Sequence, residues 1–314
     1  MDEVDRKLMS LLDMNPRTPY RKLADELRIS VPAVYRRIQN LMKNGVIRGF
    51  SAQVSIRHLK AVPVTIFGKS NSCCVDPIVA KLGAHELTSS VLVAGGNYLY
   101  VVGLLRSISE LEKYADFVSK TADISDATVG IYSMDAGLAH DFIDGGRKGE
   151  EGQEPLSPLD LRIISSLRLD CRRPVADIAS ELGVSAKTVS RRLQSMIEDG
   201  RLDFVVPMDP TVSGDIVSIV HIFLNKDVNK NEVGRELLKK YSPRVWYLRS
   251  FSNLPDFLIC IIWTNRMNEL KEVTSEITRK DEIKSVVPNI WYADYIFDTW
   301  RDKMLLQHSK SPSG

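Results

Sequence analysis

SVPAVYRRIQNLMKNGVIRGF, residues 30–50, sets a serine before an amphipathic run, an arginine pair inside it and a glycine after it. Residues 185–205, SAKTVSRRLQSMIEDGRLDFV, repeat the serine, the pair and the glycine at the same spacing. Displacing the chain against itself by 155 residues extends the match. Asp5 meets Asp160, Leu12 meets Leu167, Pro19 meets Pro174 and Glu26–Leu27 meets Glu181–Leu182. No gap is needed from residue 5 to residue 47, so duplication of a whole unit is the economical explanation.

Each copy opens with apolar residues at helical spacing, Val4, Leu8, Leu11 and Leu12 in one and Leu161, Ile164 and Leu167 in the other. A second helix is expected from TPYRKLADEL, with Thr18 as cap and Pro19 in the first turn, burying Leu23, Ala24 and Leu27. Its counterpart uses Pro174, Ile178, Ala179 and Leu182. Ser30 and Ser185 cap a third helix, whose inner face carries Val34, Ile38 and Leu41, or Val189, Leu193 and Met196. Gly45 and Gly200 end it, and strands are expected to start at 47–50 and 202–205. Three short helices followed by a strand predict a winged helix-turn-helix.

Beyond each helical unit the period changes. Strand patterns at 61–69, 86–94, 98–105 and 127–134 alternate with helical ones at 74–83 and 107–120. The second copy repeats this with DIVSIVHIFL, VGRELLKKY, RVWYLRSF, DFLICIIW, NELKEVTSEIT and VVPNIWYADYIF. A β-α-β-β-α-β order predicts a ferredoxin-like sandwich. The expected fold is therefore α+β, two winged helix-turn-helix modules (1–50 and 157–206) alternating with two ferredoxin-like domains (61–138 and 215–300). A linker rich in glycine and charge is expected at 139–156.

Composition sets the outer bounds. The 314 residues are 44% hydrophobic and 26% charged, with a net charge of +2, an ordinary globular balance. Cys73, Cys74, Cys171 and Cys260 make neither a zinc spacing nor a secreted disulfide framework. No secretory leader follows Met1 and no apolar run is long enough to span a bilayer, so a cytoplasmic protein without a membrane partner is expected. The histidines, His58, His85, His140, His221 and His308, form no metal pattern, and no phosphate-loop or dinucleotide fingerprint occurs. The expectation is a non-enzyme with no catalytic residue, metal or cofactor.

The arginine pairs point to double-stranded DNA. Between Ser30 and Asn44 there is no acidic residue, and the apolar trio leaves Tyr35, Arg36, Arg37, Gln39, Asn40 and Lys43 outside the inner face. Arginine can bind phosphate or guanine, and glutamine or asparagine can read adenine. Arg48 follows on the expected strand, and Ser30 stands at the helix start. In the second copy the candidates are Ser185, Lys187, Ser190, Arg191, Arg192 and Gln194. Residues 1–50 hold ten basic and six acidic residues, whereas 157–206 hold eight and seven, so the second surface is expected to bind more weakly.

With DRKLMSLLDMNPRTPYRKLADELRISVPAVYRRIQNLMKNGVIRGF and the ending VVPNIWYADYIFDTW, the chain resembles the leucine-responsive regulatory protein/AsnC family of transcription regulators, archaeal members in particular. The resemblance covers most of the chain as two consecutive units, where the family usually has one. It implies sandwich domains that dimerise through their sheets, here as a homodimer or as a pseudo-dimer within one chain, and that often sense an amino acid or another small metabolite. The family's glycine turn between central strands is matched by Gly95 and Gly96 in VAGGNYLYVV, with Asn97 where an acidic residue is common. The second copy retains Asp256 but builds its turn differently, around Asn253. These are the candidate effector residues.

Two other readings remain at this point. Two-unit assemblies resembling this family serve as siroheme decarboxylases, so a tetrapyrrole enzyme is one alternative, although no match to such an active site stands out. An assembly module without specific DNA recognition is the other. A copurified tetrapyrrole would favour the first, and weak, uniform, salt-sensitive DNA affinity the second.

Overall fold

A computed structural model describes residues 1–133, 154–242 and 244–309, the side chains of 307–309 excepted. The expected linker, 139–156, lies outside the described residues apart from its last three positions. In the first copy the elements are α1 (Glu3–Met14), α2 (Tyr20–Leu27), α3 (Val31–Lys43), β1 (Ser51–Val54), β2 (Val62–Lys69), α4 (Asp76–Gly83), β3 (Thr88–Ala94), β4 (Tyr98–Leu105), α5 (Leu111–Thr121) and β5 (Thr128–Ile131). The second copy has α6 (Pro158–Leu167), α7 (Val175–Leu182), α8 (Ala186–Glu198), β6 (Leu202–Val205), β7 (Ile216–Leu224), α9 (Lys230–Tyr241), β8 (Val245–Phe251), β9 (Leu254–Thr264), α10 (Met267–Thr278), β10 (Ile283–Ile296) and a last helix, α11 (Trp300–Ser309). The chain forms two compact units, and neither is a copy. Within the described residues one gathers the sandwich strands and helices (1–6, 62–133 and 210–297), the other the helical modules (7–61, 154–209 and 298–309).

In the helical unit the expected periodicities appear as buried faces. Leu8, Met9 and Leu12 of α1 lie inside, with Leu23, Ala24 and Leu27 of α2 and Val34, Ile38 and Leu41 of α3. Each large side chain so buried stabilises the module by about 1.5–3 kcal/mol before entropic costs. Gly45 and Gly200, at φ 76° and 63°, take the left-handed conformation that lets the chain leave the third helix. The expected cap at Thr18 does not form. Pro19 is the residue before α2, and the Thr18 hydroxyl turns back to donate to the Asn15 carbonyl at 2.7 Å, satisfying the end of α1 instead.

The wing also departs from expectation. The strand expected to start at 47–50 forms at Ser51–Val54, and its partner lies in the other copy, with Ser51 opposite Val205 and Val54 opposite Leu202. Ile47 continues the ribbon by bridging Met208, while the Phe50 carbonyl accepts the Cys171 N–H at 2.8 Å. Each module gives one strand to a shared antiparallel ribbon, so neither builds a hairpin of its own. The last helix, α11, was not expected. It packs on α6, anchored by Arg168 to Asp298 at 2.7 Å.

The sandwich unit is one eight-stranded antiparallel sheet in the order β5-β2-β4-β3-β10-β7-β9-β8. Each half has the ferredoxin-like order with two helices, and β10 joins the halves. Its first stretch pairs with β7, Val287 opposite His221, and its last with β3, Tyr295 opposite Val91. The outer strands also meet, since Tyr132 bridges Phe251 and the Ser252 N–H donates to the Ile131 carbonyl at 2.8 Å. Gly130 permits this closure, because a Cβ there would lie 2.4 Å from the Phe251 ring. Phe67, Tyr100, Phe251, Phe257 and His221 form one aromatic cluster, with the Tyr100 hydroxyl 2.7 Å from His221 Nε2. Burial pushes the His221 imidazole down to about 4, so it packs as a neutral ring.

Candidate nucleic-acid interface

Two third helices, α3 and α8, present the candidate DNA-reading residues on backbones capped alike. Ser30 accepts the Ala33 N–H at 3.3 Å, and Ser185 accepts the Thr188 N–H at 3.1 Å. The buried trios, Val34, Ile38 and Leu41 in α3 and Val189, Leu193 and Met196 in α8, fix which sides face outward. A cap and a buried stripe together leave one polar face with little rotational freedom.

On α3 most of that face is open. Arg36, Gln39, Asn40 and Lys43 are exposed, and Tyr35 is 52% exposed with its ring edge-on to Tyr20 at 5.9 Å. Arg37 is half-buried. Arg48 stands apart from this group: its guanidinium pairs with Asp209, whose side chain is 9% exposed, and its N–H donates to the Pro207 carbonyl at 2.8 Å. It belongs to the ribbon.

On α8 the same backbone carries different chemistry. Lys187, Ser190 and Arg191 are exposed, but Gln194 donates to Glu198 at 2.7 Å. Arg192 turns inward, 3.1 Å from the Asp160 carboxylate and 3.1 Å from the Ser157 hydroxyl. Asp160, 3% exposed, also accepts the Ser157 N–H at 2.9 Å in the capping box that starts α6. Burial alone would raise its carboxyl, but hydrogen bonds from Ser157 and the Arg192 guanidinium outweigh that and hold it below its ordinary value. One of the two candidate arginines on α8 is thus engaged within the module.

The candidate effector residues lie on turns of the sandwich unit. Gly96 and Asn97 take positive φ, the Gly95 N–H donates to the Ile290 carbonyl at 2.9 Å, and the Asn97 amide donates to the Ser72 carbonyl at 2.8 Å. Asn253 is engaged with β5, accepting from the Ile131 N–H at 2.8 Å and donating to the Val129 carbonyl at 2.7 Å. Asp256 is exposed on an open surface with Lys226, Asn229 and Pro255. Among the described residues no three His, Cys, Asp or Glu side chains are placed to hold a metal ion.

Sequence reasoning passed over Arg17 and Arg172, the same position in the two copies. Arg172 donates from Nε to the Pro16 carbonyl at 2.7 Å and from Nη2 to the Thr18 carbonyl, and lies over the Tyr20 and Phe50 rings at 4.7 and 4.8 Å. Arg17 lies 5.3 Å from the Phe204 ring centroid. Their identity under the 155-residue displacement was the available signal.

Comparison with known proteins agrees with this architecture. Residues 1–48 match a winged helix-turn-helix DNA-binding model, and residues 156–197 an AsnC-type helix-turn-helix domain. The transcriptional regulator LysM of Saccharolobus solfataricus is 36% identical over 136 residues, which cover 92% of LysM and 40% of this chain. LysM of Sulfurisphaera tokodaii is 36% identical over 81 residues, covering 56% of that protein and 26% of this chain. The crystal structure of the siroheme decarboxylase NirDL superposes over 98% of both chains with a TM-score of 0.60, at 16% identity, a likeness of fold alone. The two helix-turn-helix matches, and the identity that spans nearly all of a LysM regulator, show that the chain belongs to the leucine-responsive regulatory protein/AsnC family.

Proposed function

We propose that the protein is a sequence-specific DNA-binding transcription regulator whose two reading heads are supplied by one chain. One observation carries this reading: α3 is a capped third helix with an exposed polar face of Arg36, Gln39, Asn40 and Lys43 and no acidic residue along it. Arginine and lysine there meet phosphates, while arginine, glutamine and asparagine are suited to base edges in the major groove. Arg191 and Lys187 on α8 supply a second, weaker contact. The sandwich unit serves as an internal pseudo-dimer, and the turns carrying Gly95, Gly96, Asn97, Asn253 and Asp256 are the place to seek a small-molecule effector. No described helix is long and apolar enough to cross a membrane, which suits a DNA-bound protein of the cytoplasm.

The test is enrichment of genomic fragments on the purified protein at moderate salt. A motif enriched by wild type and lost in Arg36→Ala supports sequence reading. Equal, weak, salt-sensitive recovery of all fragments by both proteins refutes it and favours an assembly role. A Soret band in the purified protein, without any enriched motif, would favour the tetrapyrrole alternative.

A further inference from the structure

We infer that Arg172 locks the two reading heads at one separation, and so restricts the protein to half-sites at one spacing. This rests on the DNA-binding reading above. Arg172 sits between α6 and α7, at the base of the second head, while every group it clasps belongs to the first. Its guanidinium donates to two backbone carbonyls, Pro16 and Thr18, in the connection between α1 and α2, and lies over the Tyr20 and Phe50 rings. Tyr20 is in edge contact with Tyr35 on α3, so the clasp reaches the reading helix through one ring. At its neighbour, the Cys171 N–H donates to the Phe50 carbonyl at 2.8 Å.

Further links act in parallel. The β1–β6 ribbon joins the heads by backbone pairing, extended by the Arg48–Asp209 ion pair and by the Asp209 N–H donating to the Val46 carbonyl at 2.8 Å. A ribbon of two short strands can still twist and bend about its length. The clasp lies off that line, at the Pro16–Tyr20 segment, and opposes such bending. Only arginine fits it, because a planar fork is needed to reach two carbonyls while the charge lies close to two rings. The counterpart Arg17 makes the equivalent reach to one ring, Phe204. The lock is therefore chiefly the second copy's hold on the first.

For DNA, inserting one base pair between half-sites moves one head about 3.4 Å and rotates it roughly 34° around the duplex. Heads held as one body cannot follow that rotation, whereas heads on a loose ribbon can. The experiment has two arms on the full chain, with wild type, Arg172→Ala and Arg172→Lys. In the first, without DNA, spin labels are placed at the exposed positions Asn44→Cys and Ser190→Cys, in a background with the exposed Cys73 and Cys74 changed to serine. The distance distribution between them is then measured. In the second, the enriched motif is rebuilt with its half-sites at graded spacings.

Wild type is expected to give one narrow distance and to prefer one spacing by about tenfold. Both variants should broaden the distance and reduce the preference to about twofold, with single half-site affinity unchanged. Far-ultraviolet circular dichroism checks that the variants are folded, and Arg172→Lys keeps the charge should Arg172→Ala unfold. A broad wild-type distribution, or variants as narrow as wild type, overturns the lock. A narrow distance with equal binding at all spacings overturns the spacing role but leaves sequence reading intact. A narrow distance with no enriched motif overturns the DNA reading and the spacing role with it.

Discussion

The two reading heads share a backbone plan and differ in how they use their charge. In α3 the exposed face is free of carboxylates, and Arg36 points to solvent. In α8 the matching face keeps Arg191 exposed but has Gln194 turned to Glu198, where α3 carries Gln39 and Lys43. Arg192, the counterpart of the half-buried Arg37, pairs with the nearly buried Asp160 inside its module, so what separates the two faces is the carboxylate at 198 where α3 has Lys43. In a homodimer any such change would alter both heads at once. Fusion of the copies removes that constraint, so the two outward faces are free to diverge in charge.

The comparison can be broken first at Asp160. Asp160→Ala should destabilise the helical unit by about 2–4 kcal/mol, combining the lost reciprocal bond of the capping box with a stranded arginine. Denaturant unfolding followed by far-ultraviolet dichroism measures it, and a loss under about 1 kcal/mol would mean that Arg192 is not anchored. Because the folded Asp160 carboxyl sits below its ordinary value, its contribution is full above the unfolded value and disappears as pH falls through the folded one. His221 acts earlier in the other unit. Its unfolded imidazole gains a proton near pH 6.5 and its folded one only near about 4, so stability falls across that interval. Denaturant titrations followed by tryptophan fluorescence, dominated by Trp246, Trp263 and Trp291 of the sandwich unit, should therefore show a falling midpoint as the pH is lowered from 6.5 towards 4.

Binding sharpens the same contrast with smaller effects. Arg36→Ala should weaken the specific complex by about 10–100-fold, and Arg191→Ala by about 2–5-fold, in a titration at fixed salt. If Arg191 meets only phosphate, its removal should also lower the salt slope by about 1 and leave base preference unchanged. Equal losses from the two variants would erase the division of labour between the heads. The smallest expected effect is on stability. Arg28 ends α2 at φ 55°, where its counterpart in the second copy is Gly183 at φ 68°. Arg28→Gly should stabilise the first head by about 0.5–1 kcal/mol by relieving that backbone cost, visible as a rise in Tm.

Much of this was legible from local pattern. The duplication, the buried trios of α3 and α8, the serine caps and the glycine exits depend on residues close in sequence, and they appear where their spacing places them. The features that escaped depend on distant partners. β1 starts beyond the expected 47–50 because its register is set by β6, about 150 residues away, with no turn motif to announce it. Thr18 failed as a cap because the proline after it holds the cap position and the Asn15 carbonyl offers its hydroxyl a partner. For α11 a local signal was present: Asp302 accepts from both the Thr299 N–H and its hydroxyl at 2.9 Å. Helical spacing from Val189 and Met196 puts Arg192 rather than Arg191 beside the buried stripe, but its partner Asp160 is 32 residues away and nothing local announces it.

The placement of β10 has a consequence for the order of synthesis. The edge of β3, Ser90–Ile296 through Ala94–Trp291 in its final pairing, is finished long before its partner leaves the ribosome. At ordinary elongation rates of about 5–20 residues per second, roughly 200 residues occupy about 10–40 s. For that interval a nascent chain presents an open strand edge at Ser90–Ala94, mostly Val, Leu and Ala, a template for neighbouring chains on the same message. Crowded translation would therefore favour strand exchange between siblings, and the last strand to emerge decides whether each chain closes on itself.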